Sequence, residues 1–231
     1  NTVQPDNLQN NQQSIHLHVP HHVSRRDAPR RCTLKIESTN IKTRPGVSLD
    51  ETQQTLVGSV LDLFAGRPSL AKLALWKDDA TFTDPITIAQ GRSKYAAQWY
   101  GLQAAFSEIE RLNHEVKDGG NPILMDLETR YKVKGIGKEQ VIKSVVEIHH
   151  DGEKITKVAD KWDGEISDSA IKNVSALLNP LRWERKVEQW LFWMWSFVWE
   201  TPTFRHLNAV SVPVMVSVPK NAKEDAERGN Q

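Results

Sequence analysis

A single cysteine, Cys32, stands in the 231 residues, so no disulfide can form within the chain and packing must hold the fold together. Arg30, Arg31 and Thr33 surround it in a polar stretch, and an inert, exposed thiol in a loose tail is expected. Long apolar runs are missing too: no uncharged apolar stretch reaches the roughly 18 residues of a spanning helix. Net charge is almost absent at +1, but it is unevenly spread: basic residues outnumber acidic ones in 1–49 and acidic outnumber basic in 50–166. An acidic middle repels phosphate, which argues against nucleic acid as a partner. The Gly135-x-Gly137 pair leads into a strand pattern without a following helix, so it is no phosphate loop. His16, His18, His21 and His22 in "HLHVPHH" lack a completing cysteine or carboxylate, and Pro20 breaks any helix there. They read as a solvated tail, and neither a metal nor a cofactor is called for.

What is present divides into four parts. Residues 1–47 are polar and aperiodic and read as a disordered head. Residues 48–166 carry the periodic patterns of one domain. Ser48 and Glu51 form a capping-box pattern ahead of Leu56, Val60, Leu61 and Phe64 at helical spacing, and Gly66 stops the helix. A short helix fits "PSLAKLALW", a strand fits "ATFTDPI" up to Pro85, and a longer helix fits "GRSKYAAQWYGLQAAF". Strict alternation then places Ile123, Met125, Leu127, Thr129, Tyr131 and Val133 on one face of a strand. "QVIKSVVEIHH" and "KITKVADKWD" flank an Asp151-Gly152 hairpin turn. Helices followed by an antiparallel meander predict an α+β domain, a curved sheet over segregated helices with a concave interior. Residues 167–219 hold a Trp-rich helix and a Val/Pro segment expected to be extended, because Val210, Val212, Val214, Val216 and Val218 alternate around Pro213. Residues 220–231 are expected to form a charged, mobile tail.

"LFAGRPSLAKLALWKDDATFTDPITIAQGRSKY", together with "DGEKITKVADKWD", resembles the NTF2-like superfamily in its SnoaL-like branch, and within it fungal members. The resemblance covers residues 50 to 166. It implies a cone-shaped α+β fold, often dimeric, with a pocket between the sheet and a long helix. Isomerases, polyketide cyclases, dehydratases and non-enzymatic binding proteins share that fold, so it does not select an activity. In the ketosteroid isomerase member, a worked case of pKa tuning, a carboxylate base acts with an oxyanion hole of tyrosine and protonated aspartic acid. Asp84 in "KDDATFTDP" matches the base, and Tyr100 in "QWYG" matches a second aromatic hydroxyl. Val60 and Val146 occupy the positions of the two oxyanion donors. A dienolate would therefore find nothing aimed at its charge, and a steroid isomerase is not expected.

The candidate base is Asp84; the plainer reading is a carboxylate that accepts backbone N–H bonds where the strand turns at Pro85. His150 is a weaker acid–base candidate, since histidines beside a hairpin are commonly surface groups. Tyr95, Trp99, Tyr100, Met125, Leu127, Tyr131 and Val146 are the expected pocket lining, although ordinary core packing suits the same residues. Trp162 reads as a core plug. The expected ligand is a small apolar or aromatic molecule.

Five of the eight tryptophans lie at Trp183, Trp190, Trp193, Trp195 and Trp199, apolar almost all around a helix. Such a helix buries itself against the cone, against a second copy in a homodimer, or on a membrane surface through residues 177–204. Its apolar run is too short to cross. The rival to a ligand-binding domain is thus a non-enzymatic scaffold docked by this helix. A lone cysteine suits the cytoplasm, with peripheral membrane association as the alternative. The chain begins with Asn1, which leaves a leader open, and on that rests the relevance of the Asn173 glycosylation sequon.

Overall fold

The computed structural model describes residues 34–135, 137–162 and 202–228. Cys32, the four clustered histidines, the Asn173 sequon and all five tryptophans of the Trp-rich segment lie outside the described residues. Helix α1 spans Glu51–Phe64 and α2 is the single turn Leu70–Leu73. Strands β1 (Trp76–Asp84) and β2 (Thr87–Gln90) follow, then helix α3 (Arg92–Ala105). Four strands complete the sheet: β3 (Phe106–Asp118), β4 (Ile123–Val133), β5 (Glu139–His150) and β6 (Ile155–Trp162). Helices α4 (Pro202–Met215) and α5 (Ala222–Arg228) close the described chain. The strand order is β2-β1-β6-β5-β4-β3, antiparallel throughout except for the parallel β1–β6 pair. This is the α+β architecture expected from the order of patterns, with α1, α3 and α4 on one face of the sheet.

The local chemistry explains most of these elements. The N-cap of α1 is Asp50 rather than Ser48: its carboxylate accepts from Gln53 N at 2.7 Å, and Gln53 Oε1 accepts from Asp50 N at 3.0 Å. Aspartate caps as well as serine, and only Gln53 stands three residues on from it to close the box. Gly66 ends the helix at φ +71°, where other residues are strained. Strand β4 alternates without a fault, Ile123, Met125, Leu127, Thr129, Tyr131 and Val133 all buried. Strand β3 was not legible in the sequence. Three register shifts against β4 break its alternation, and Ser107, Glu108, Glu110, Leu112, Asn113 and Asp118 occupy its exposed positions. Trp76, Tyr95 and Trp99 lie at the centre of the core beside Phe64 and Phe82, with ring centroids 4.6 to 5.9 Å apart.

Three expectations for the flanking segments are corrected. From Ile36 onward the head is ordered: Ile36 and Ser38 are buried, and the Glu37 and Ser38 amides donate to Asp62 at 2.9 and 3.0 Å. Asp62 is fully buried in α1 and paired with Arg67 and Lys72, an anchor that no local period reveals. Gly58 allows the close approach, since a Cβ there would meet Ser38 O at 2.7 Å. Residues 202–215 are helical, not extended: Ala209 and Val212 share one buried helical face, and Val212 and the part-buried Val216 stand four apart, a helical spacing the valine alternation also contains. Pro213 lies in the last turn of α4 and forgoes the one backbone bond its missing N–H would have made. The C-terminal residues 222–228 form α5 rather than a free tail, because Asp225 accepts from the Tyr100 hydroxyl at 2.5 Å and from Leu70 N at 2.7 Å. No helix among the described residues is long and apolar enough to cross a membrane.

Candidate functional site

Between the concave face of the sheet and helices α3 and α4 lies a cavity of about 120 Å³. Its walls are apolar and aromatic: Phe82 from β1, Trp99 from α3, Phe106 at the start of β3, Tyr131 from β4 and Val212 from α4. Gly101 brings the two helices together over it, a Cβ there lying 3.2 Å from Val212 Cγ1. The polar groups are few: Asp84 and Thr87, Gln98, Asp160 with Trp162 on β6, and Lys138 with Gln140 at the start of β5. Lys138 is exposed.

The carboxyls of Asp84 and Asp160 are neighbours by topology. The parallel β1–β6 pairing sets Thr83 against Ala159, so the next residue on each strand is an aspartate facing the same side. Asp84 Oδ1 accepts from Ile86 N at 2.8 Å as the chain turns, the plain structural role foreseen for it. That role does not take it out of the cavity, which touches the same side chain and leaves it half-buried by surface while protein encloses its other sides. Enclosure, reinforced by the charge of Asp160, raises its carboxyl to about 7 against the bonds from Ile86 and Thr87. Burial likewise raises Asp160 to about 6, opposed by Ser144 and Trp162. Trp162 Nε1 donates to Asp160 Oδ2 at 2.7 Å; Oδ1 is buried and meets no donor in good hydrogen-bond geometry, while the Ser144 hydroxyl nearby also favours the charged carboxyl. Burial, then Asp160, pushes the Tyr131 phenol well above its ordinary range, so it stays protonated.

Of the expected site residues, the structure brings Asp84, Trp99 and Tyr131 to the cavity. The others lie elsewhere. His150 sits at the β5–β6 turn, its Nδ1 accepting from Gly152 N at 3.2 Å, away from the cavity walls. Tyr95 stacks on Trp76 and donates to Lys77 O at 3.1 Å inside the core. Tyr100 points the other way from α3, to Asp225. Met125, Leu127 and Val146 are core residues deeper in the sheet. Val146 pairs with Asp160 across β5–β6, so an acid stands one strand over from the apolar Val146. Sequence reasoning missed Asp160 and Gln98 and read Trp162 as a plug. The available signal was that Val158, Asp160 and Trp162 alternate on one face, placing a carboxyl in an apolar row. Among the described residues no cluster of His, Cys, Asp and Glu is arranged to hold a metal.

No protein-family model matches the chain, and no curated protein matches it. Solved structures do. A phenazine biosynthesis-related protein from Pseudomonas aeruginosa is 15% identical with a TM-score of 0.41, over 60% of this chain and 93% of that one. A protein with a ketosteroid isomerase-like fold from Catenulispora acidiphila, in complex with trimethylamine, is 18% identical with a TM-score of 0.43, over 60% of this chain and 100% of that one. An NTF2-like protein from Anabaena variabilis is 12% identical with a TM-score of 0.44, over 53% and 97% of the two chains. At such identities and TM-scores what those proteins do carries nothing over to this chain, whose α+β fold stands on its own strand order. Several of the solved structures to which it is similar are NTF2-like proteins, the superfamily its sequence resembles.

Proposed function

We propose that this NTF2-like domain binds a small apolar or aromatic molecule in the cavity and acts on it by acid–base chemistry, with Asp84 as the base. The observation that carries the reading is a carboxyl set against an apolar cavity and tuned to about 7, where one group can both take and return a proton at neutral pH. Size bounds the ligand. A cavity of about 120 Å³ is comparable with the roughly 150 Å³ void that accepts benzene, so a single ring fits and a four-ring steroid does not. Tyr131, held protonated beside the carboxyls, is placed to donate to an oxygen on which charge develops. Proton abstraction with such help describes isomerase-, cyclase- and dehydratase-like steps alike.

The test is a ligand identified by mass spectrometry of the purified protein or by screening, followed by comparison of wild type with Asp84→Asn. Binding is expected to persist within a few-fold while turnover drops by roughly 10²–10⁴, the usual share of a general base. Turnover undiminished in the variant would remove the base assignment.

A further inference from the structure

We propose that the ligand of this cavity is a small protonated amine, its ammonium group set against Asp84 and Asp160 and its apolar part against the aromatic walls. The inference rests on the cavity being a ligand site and names what that site selects. It starts from the register of β1 and β6, which puts two carboxyls side by side on the concave face, one strand spacing apart, roughly 4.8 Å. Asp160 lines the cavity at 7% exposure, and its Oδ1 is buried without a hydrogen-bond partner. A buried acceptor left open calls for a donor from outside the chain.

Charge narrows the choice of donor. A carboxylate or phosphate ligand would meet two enclosed acids of its own sign. A neutral alcohol would offer one hydrogen and leave the acids repelling each other. An ammonium group offers up to three N–H donors and a positive charge, so it satisfies Oδ1 and relieves the repulsion together. Trp99, Phe82, Tyr131 and Trp162 line the same cavity, and aromatic rings there suit a cation further. The charged and titratable groups around the pair, among the described side chains, are Asp84 from β1, Asp160 from β6, Tyr131 from β4 and Lys138 ahead of β5; the described cavity-lining side chains of α3 and α4 are otherwise Gln98 and apolar groups. Lys138 is exposed at the rim, and no lysine or arginine among the described residues pairs with Asp160. A quaternary ammonium, lacking N–H, would leave Oδ1 open and bind less well.

Calorimetric titration of the full chain with benzylamine and with benzyl alcohol, at pH 5 and pH 8, tests this. The amine stays protonated over that range, as lysine does with its pKa of about 10.4, while the two carboxyls ionise as pH rises. Benzylamine should bind about tenfold or more tighter at pH 8 than at pH 5, and benzyl alcohol should change by less than about twofold, since the ammonium gains from the carboxylates that form as pH rises and the neutral alcohol does not. Asp160→Asn, shown by circular dichroism to be folded, should weaken benzylamine about tenfold at pH 8 and spare the alcohol. If the alcohol binds and the amine gains nothing at pH 8, the amine assignment is overturned while the cavity remains a ligand site. If neither binds at either pH, both readings fall. Should the variant not fold, the pH comparison on the wild-type chain decides alone.

Discussion

Asp84→Asn makes a prediction about stability whose sign is opposite to that of most substitutions at a buried hydrogen-bonded group. The carboxyl rises from 3.8 to about 7 on folding. Below pH 3.8 both native and unfolded chains carry it protonated, and it costs nothing. Between 3.8 and about 7 the unfolded chain releases the proton and the native chain keeps it, so stability falls as pH rises. Above about 7 the penalty is constant. At about 1.36 kcal/mol per pH unit of displacement it approaches about 4 kcal/mol, and sharing of charge with Asp160 leaves about 2–4 kcal/mol as the working range. Asparagine has the same shape, still accepts from Ile86 N, and never ionises. The variant should therefore match wild type within about 1 kcal/mol at pH 4 and exceed it by about 2–4 kcal/mol at pH 8, or roughly 5–15 °C in Tm. Urea unfolding of both proteins at the two pH values measures this directly. A variant less stable than wild type at pH 8 would mean that the ionised carboxylate is wanted by the fold, and the argument from enclosure would be wrong.

Two further perturbations probe the frame around the site. Asp62→Ala should cost about 3–5 kcal/mol in urea unfolding at pH 7, because it strands Lys72 without its partner and frees the Glu37 and Ser38 amides; a cost under about 1 kcal/mol would refute the anchoring role. Burial pushes the Asp62 carboxyl up, but Arg67, the Glu37 amide and Lys72 outweigh it and hold it below 3.8. Its contribution is thus present above pH 3.8 and lost as pH falls through its lower native value. Tyr100→Phe removes the hydroxyl that donates to Asp225 and should lower stability by about 1 kcal/mol while speeding tryptic cleavage at Lys220 and Lys223. Equal cleavage rates in the two proteins would show that α5 does not depend on that bond.

Legibility followed the range of the interaction. The alternation of β4, the helical spacing of α1 and α3 and the Asp151-Gly152 turn are local patterns, and each element appears where its pattern stands. Strand β3 escaped because bulges break its period, and α4 because valines two apart are also four apart, so Val212 and Val216 fit one helical face as well as one strand face. Asp84 was found through its place before Pro85. Asp160 was not, since its importance lies in the partner beside it and nothing in "VADKWD" names that partner.

The one-dimensional chain determined which segments could be helix or strand, the α+β class, and, within these 231 residues, the exclusion of an internal disulfide and of a simple spanning helix. Period, turn chemistry and composition act over a few residues and need no partner to be read. Tertiary structure alone decided that β6 lies parallel to β1, and with it that two aspartates 76 positions apart by number, Asp84 and Asp160, share one enclosed wall. Which strands become neighbours depends on the free energy of the whole core, and a carboxyl changes its chemistry only when that core has removed its water and brought a second charge beside it.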